Sequence, residues 1–218
     1  MRIKKVWAVY FSGTGTTEKT VRRIAAGMAQ ALDAELAVYD FTTPAARQRE
    51  LRFGAEELAV LGVPVYAGRV PNVLLPYLTK QLHGGGALAV PVVLFGNRNF
   101  DDGLMAAPAE PVAVRGETPI RPYYTPRDRH GNPINILKVK PKTDMDRCGG
   151  CGLCAARCPM GSIDPADVSQ VTGICIKCCA CVKGCPAEAK YFDDAGYLYH
   201  KSELEEVYAR PAANEVFL

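Results

Sequence analysis

The residues best equipped for chemistry are nine cysteines in a chain of 218, all lying between Cys148 and Cys185. Eight of them form two runs, C-G-G-C-G-L-C-A-A-R-C-P over 148–159 and C-I-K-C-C-A-C-V-K-G-C-P over 175–186. Both read C-x2-C-x2-C-x3-C-P, and each position of the first run recurs 27 residues later: Cys148 with Cys175, Cys151 with Cys178, Cys154 with Cys181, Cys158 with Cys185. Clustered thiols in a reducing compartment read as metal ligands or redox groups. Three thiolates on one tight loop can reach three iron corners of a [4Fe–4S] cube. The fourth, set three residues further on and followed by proline, points towards a neighbouring cluster. The expected ligand sets are therefore Cys148, Cys151, Cys154 and Cys185 for one cluster and Cys175, Cys178, Cys181 and Cys158 for the other. Structural zinc favours paired C-x2-C arms separated by a longer loop, and a disulfide framework would spread its cysteines through the chain. Cys179, the ninth, fits no ligand position and is expected to be a small buried thiol beside the cluster.

A second signature lies near the N-terminus, where Ser12-Gly13-Thr14-Gly15-Thr16-Thr17 joins an apolar run to a segment with helical spacing. Amide groups at such a turn, with the helix dipole behind them, suit a phosphate. A dinucleotide G-x-G-x-x-G and a Walker A loop both need glycine where this chain has Glu18, although Lys19 and Thr20 fit the latter. The hydroxyl-rich pattern S/T-x-T-G-x-T of a flavodoxin loop is matched throughout, and it binds the phosphate monoester of FMN without cationic side chains. Two later segments, Gly62–Pro71 and Gly96–Asp102, each follow an expected strand at its carboxyl end, where open α/β sheets bind ligands. From these, Pro64, Val65, Tyr66, Ala67 and Gly68, with Gly96, Asn97, Arg98 and Phe100, join the candidate flavin site. Tyr66 and Phe100 are placed to sandwich an isoalloxazine ring.

These sites need elements to hold them. Val6–Phe11, Glu35–Tyr39, Leu58–Val65 and Ala89–Phe95 read as short strands, and Thr17–Leu32 as a helix with Val21, Ile24, Ala25, Met28 and Leu32 on one face. The connections are long enough for crossovers, which predicts a parallel sheet. The expected division is an α/β domain over 1–105, a proline-rich connector over 106–143, an α+β cluster domain over 144–190 and a tail over 191–218. In the tail, a short helix is predicted over Ser202–Ala209 with Ser202 as its cap. Tyr123 and Tyr124 are expected to anchor the connector; His83, His130 and His200 read as surface or packing residues.

Composition narrows the functional classes. A net charge of +3 gives no whole-chain field for nucleic acid or membranes. No apolar run reaches the roughly 20 residues that span a bilayer. The basic N-terminus lacks a signal-peptide core, so a cytoplasmic location is expected. Residues 146–190 carry five basic and four acidic side chains, which does not support steering towards a strongly basic partner.

Together, FSGTGTTEK, PVYAGRVPN, GNR, RPYYTP, KVKPKT and CIKCCACVKGCP resemble the flavodoxin–ferredoxin fusion proteins of anaerobic bacteria and archaea. The resemblance implies a flavodoxin-like fold followed by a bacterial-type two-[4Fe–4S] ferredoxin domain, and electron transfer between redox protein partners. It assigns no substrate chemistry and no catalytic residue. A complete flavodoxin sheet, in the order 2-1-3-4-5, needs a further helix, strand and helix after the GNR loop. Too little chain follows Met105 for all three, so the sheet is expected to be shortened, with an exposed fourth strand and weak or absent flavin binding. Without flavin, the first domain would be a docking module for a partner reductase.

Overall fold

The structure, a computed structural model, describes residues 2–96 and 124–210. The chain divides into two compact units, the described residues 2–96 belonging to the first and 124–210 to the second.

In the first unit, β1 (Lys5–Tyr10), β2 (Glu35–Asp40), β4 (Glu57–Pro64) and β6 (Leu88–Leu94) form a parallel sheet in the order β2-β1-β4-β6. The two-residue strands β3 (Leu51–Arg52) and β5 (Leu82–His83) pair separately, also in parallel. Counting only the four long strands, the order is 2-1-3-4, compatible with a flavodoxin-like fold. The central position of β1 explains its unbroken apolar run: Val6, Ala8, Val9 and Tyr10 are all buried. The edge strand β2 is mostly exposed. Helix α1 (Thr16–Leu32) buries Val21, Ala25 and Ala29 against Val6, Ala8, Leu58 and Val60. It ends at Asp33, whose left-handed backbone (φ 50°) returns the N–H to the carbonyls of Ala29 and Gln30.

Gly62 sets how closely α1 lies on the sheet. A Cβ there would overlap Val21 Cγ2 and come within 3.1 Å of Thr17 Cγ2. The connection from β4 to β6 holds short elements, among them the helix α2 (Leu75–Lys80), which carries Pro76 in its first turn and buries Tyr77 and Leu78. Tyr77 stacks on Phe41 at 5.0 Å. Among the described residues β6 ends the sheet, and its Leu88 is 51% exposed. The expected shortening falls on residues 97–123, outside those described.

The second unit takes in the later part of the expected connector. Arg129 N–H donates to Tyr199 Oη (2.9 Å), Lys142 pairs with Asp193 (2.7 Å), and Tyr124 packs on the His200 ring at 5.7 Å. Tyr123 lies outside the described residues. Two strands close the unit: β7 (Lys142–Thr143), before the first cysteine run, pairs antiparallel with β8 (Lys190–Tyr191), after the second. Between the runs, Ile163 bridges Val171. Two four-residue helices, α3 (Leu153–Ala156) and α4 (Ala180–Lys183), follow the first two cysteines of each run.

The final helix corrects the reading of the tail. Helix α5 spans Ala195–Val207, and its cap is Asp194, whose carboxylate accepts from Tyr197 N–H at 2.9 Å. Ser202 lies inside the helix. The cap was hidden because Gly196 and three aromatic or imidazole residues follow it, a poor helical signature until they pack. Tyr197 stacks on Phe192 at 4.3 Å, and His200 is 9% exposed. Replacing Asp194 with Ala should destabilise the second unit by about 1 kcal/mol, read as a lower urea midpoint with an unchanged slope.

Candidate metal centre

The 27-residue repeat extends from the ligands to the backbone. Left-handed residues occur at Gly150, Gly152 and Gly161 in the first half and at Lys177, Cys179 and Glu188 in the second. Each pair is one repeat apart. The turn bonds repeat too: Ala156 N–H reaches Gly152 O (3.1 Å) as Lys183 N–H reaches Cys179 O (2.9 Å), and Gly161 N–H reaches Cys158 O (3.0 Å) as Glu188 N–H reaches Cys185 O (3.1 Å). Positive φ at these positions wraps the chain around its cysteines, which is why the first half uses glycine.

Cys179 is therefore the counterpart of Gly152. Its backbone holds φ 58°, and its half-buried Sγ lies 3.4 Å from Tyr197 Oη and 3.6 Å from Lys177 O. The thiol ties α5 to the second loop. Burial and the Cys179 contact push the Tyr197 hydroxyl well above the usual phenol range.

One cavity of this unit is lined by Cys148, Cys151, Cys154 and Cys185, with Val168 and Lys190. It therefore gathers three thiols of the first run and the last thiol of the second. Cys154 and Cys181 are buried with Ile163 and Val168, and Cys148 and Cys158 pack against them. Cys151 is exposed. The fourth cysteine of each run receives a backbone hydrogen bond in the same way: Ser162 N–H donates to Cys158 Sγ and Ala189 N–H to Cys185 Sγ, both at 3.3 Å.

The thiols differ electrostatically. Burial raises Cys175, pushes Cys178 up to about 11 and pushes Cys181 up to about 12. At Cys185 burial acts the same way, but the N–H groups of Ala189, Ala187, Lys190 and Glu188 outweigh it and hold the thiol below its ordinary range. A metal takes the thiolate form, so any metal bound by these thiols would displace protons that the metal-free chain retains.

The four thiols around this cavity fit the separate iron corners of a cubane. Among the described residues, no three His, Cys, Asp or Glu side chains converge on one ion. A mononuclear zinc site needs its sulfurs about 2.3 Å from a common centre. A cubane spreads its ligands over separate iron corners, and sulfur-directed N–H groups are a known means of tuning it.

The candidate flavin loop sits at the carboxyl end of β1. Ser12 N–H donates to Thr42 Oγ1 (2.8 Å), and Thr42 N–H donates to Asp40 Oδ1 (2.8 Å), so the end of β2 braces the loop. Thr42, only 7% exposed, was missed in the sequence because a lone threonine after a strand carries no pattern. Ser12 and Gly13 are half-buried, Thr14 and Thr16 exposed, and Thr17 buried. Gly15 starts α1 with φ 83°, no side chain caps the helix, and the space beside its Cα is open. Ser12 Oγ is buried with no hydrogen-bond partner among the described residues. Glu18, the residue that breaks the nucleotide motifs, is held by Arg22 Nε (3.0 Å) and Tyr10 Oη (3.1 Å).

The second loop closes on itself. Tyr66 and Arg69 pair around Ala67 (φ 51°) and Gly68 (φ 92°), and Val65 N–H donates to Leu94 O at 2.7 Å. Pro64 and Gly68 are buried, Val65 and Tyr66 half-buried, and Ala67 exposed. Of the third loop only Gly96 is described, and it is exposed; Asn97, Arg98 and Phe100 lie outside the described residues.

The family model of the 4Fe-4S binding domain matches residues 141–164, which contain β7 and the first cysteine run. This supports an iron–sulfur, ferredoxin-like part with an electron-transfer role. No curated protein and no solved structure matches the chain. Among the described residues no helix is long and apolar enough to cross a membrane.

Proposed function

We propose that this protein is an electron carrier with two [4Fe–4S] clusters in its second unit, coupled to an FMN bound by its first. The observation that carries the two-cluster reading is the cavity shared by Cys148, Cys151, Cys154 and Cys185. A fourth thiol from the other run is what ligand exchange between two clusters requires. The duplicated backbone supports an equivalent set of Cys175, Cys178, Cys181 and Cys158. The clusters supply one-electron chemistry when bound. The thiolates hold them, and the Ser162 and Ala189 N–H groups favour negative charge on the sulfurs they face. On this reading the partners are redox proteins in the cytoplasm, with no nucleic acid bound and no insertion into a membrane.

The flavin reading rests on the Ser12 loop. A buried hydroxyl lacking a partner, beside an uncapped helix N-terminus and an open glycine, fits the oxygen of a phosphate monoester. Glu18 is no obstacle, because Arg22 and Tyr10 engage its carboxylate.

Iron, sulfide and flavin per chain, measured after purification without oxygen, test both parts. About eight iron atoms and about one FMN are expected. Replacing Ser12 with Ala should weaken FMN binding about tenfold with iron unchanged, as for a lost hydrogen bond to a charged group. Eight iron atoms with no flavin, even after FMN is added, would leave the first unit as a docking module.

A further inference from the structure

Lys190 is 3% exposed, one of the most deeply buried charged side chains in the described residues. Within them its ammonium makes one hydrogen bond, to Val168 O, a carbonyl that also accepts from Thr143 Oγ1 at 3.2 Å. An ammonium has three donors, and burying it without a counter-charge is costly. The repeat sharpens the anomaly. One repeat earlier stands Ile163, 4% exposed and part of the apolar cluster. The fold thus accepts an aliphatic side chain here, and the second half carries a cation instead.

The cation lies beside thiols. Lys190 lines the cavity with Cys148, Cys151, Cys154 and Cys185, next in sequence to Ala189, whose N–H donates to the Cys185 sulfur. Its charge also reaches Asp167, which is exposed, and Cys181, a thiol of the other set; its place in the cavity is what puts it with the first. We propose that Lys190 is the built-in counter-cation of the cluster on Cys148, Cys151, Cys154 and Cys185, raising that cluster's reduction potential. This rests on the two-cluster reading. Reduction adds one electron, and hence one negative charge, to an anionic centre. A fixed ammonium nearby favours the reduced form over the oxidised one. At the matching position of the other half stands the uncharged Ile163.

The test is an anaerobic redox titration of the iron-loaded chain, followed by electron paramagnetic resonance. Lys190→Gln keeps a donor for Val168 O but removes the charge, and Lys190→Met fills the same space without polarity. Both should retain about eight iron atoms. At fixed potential, the reduced-to-oxidised ratio of one cluster should fall about tenfold, about 59 mV for one electron. Lys190→Arg should leave the ratio near its original value. In a Cys158→Ala background, where the first-run cluster alone is expected, the remaining signal should move. The metal-free Met variant should melt no lower than the metal-free parent, because it removes a buried charge. Unchanged potentials in fully loaded Gln and Met variants would overturn this inference alone. A parent chain with no cluster on the first run would overturn both it and the two-cluster reading.

Discussion

On the proposed two-cluster reading, the double variant Cys158→Ala/Cys175→Ala should keep about four of eight iron atoms and the spectrum of one intact cubane. If ligands exchange between runs, both substitutions fall on the same cluster, and the set at Cys148, Cys151, Cys154 and Cys185 survives. If each run held its own cluster, the same pair would damage both, and nearly all the iron would be lost. The converse pair, Cys158→Ala/Cys148→Ala, reverses the expectation: exchange predicts loss of both clusters, in-run ligation loss of one. Iron analysis on matched anaerobic preparations reads all four outcomes. The shared cavity favours exchange, because Cys185 stands with three thiols that precede it by 31 residues or more.

The second large effect is expected at Gly62. An alanine methyl there would meet Val21 Cγ2 and press on Thr17, both on the buried face of α1. Valine has little freedom to move aside, since one rotamer dominates in a helix. Gly62→Ala should therefore destabilise the first unit by about 3 kcal/mol, the upper end of overpacking costs. Adding Val21→Ala should restore part of that loss, although Val21→Ala alone is destabilising, and this non-additivity is the sign of direct contact. The chain's single tryptophan, Trp7, lies in β1 of this unit, edge-on to Phe53 at 5.9 Å. Its fluorescence therefore follows this unit's unfolding, while cluster absorbance follows the other. A normal melt for Gly62→Ala would show that α1 can lift from the sheet at little cost.

Residues that announce themselves by periodicity were legible in the sequence. The apolar runs gave β1, β4 and β6 to within a residue or two, and the spacing of Val21, Ala25 and Met28 gave α1. The parallel arrangement followed from the length of the connections. The two-residue strands β3 and β5 were not legible, because two residues carry no period. The Asp194 cap was masked by the glycine and aromatics behind it. Contacts across the fold, such as Gly62 with Val21 or Ser12 with Thr42, join residues more than 25 positions apart and leave no local trace.

In the cysteine-rich unit the 27-residue offset held more information than the ligands alone used. Carried through the backbone, it links Gly150, Gly152 and Gly161 to Lys177, Cys179 and Glu188, three residues whose types do not suggest a left-handed turn. The same offset pairs Lys190 with Ile163, placing a cation at an apolar site. Cys179 was expected as a buried thiol; it is half-buried, and its position is explained by the glycine it replaces and by Tyr197, which it meets.

The pairing of β7 with β8 joins the chain just before the first run to the chain just after the second. During synthesis, therefore, the first three thiols leave the ribosome well before their fourth companion and the closing strand exist. Translation proceeds at about 5–20 residues per second, so this interval lasts seconds, long enough for an exposed three-thiol loop to meet other metals. On the two-cluster reading, correct loading of the first site follows completion of the unit, and the cell must either delay metal delivery or correct early mistakes.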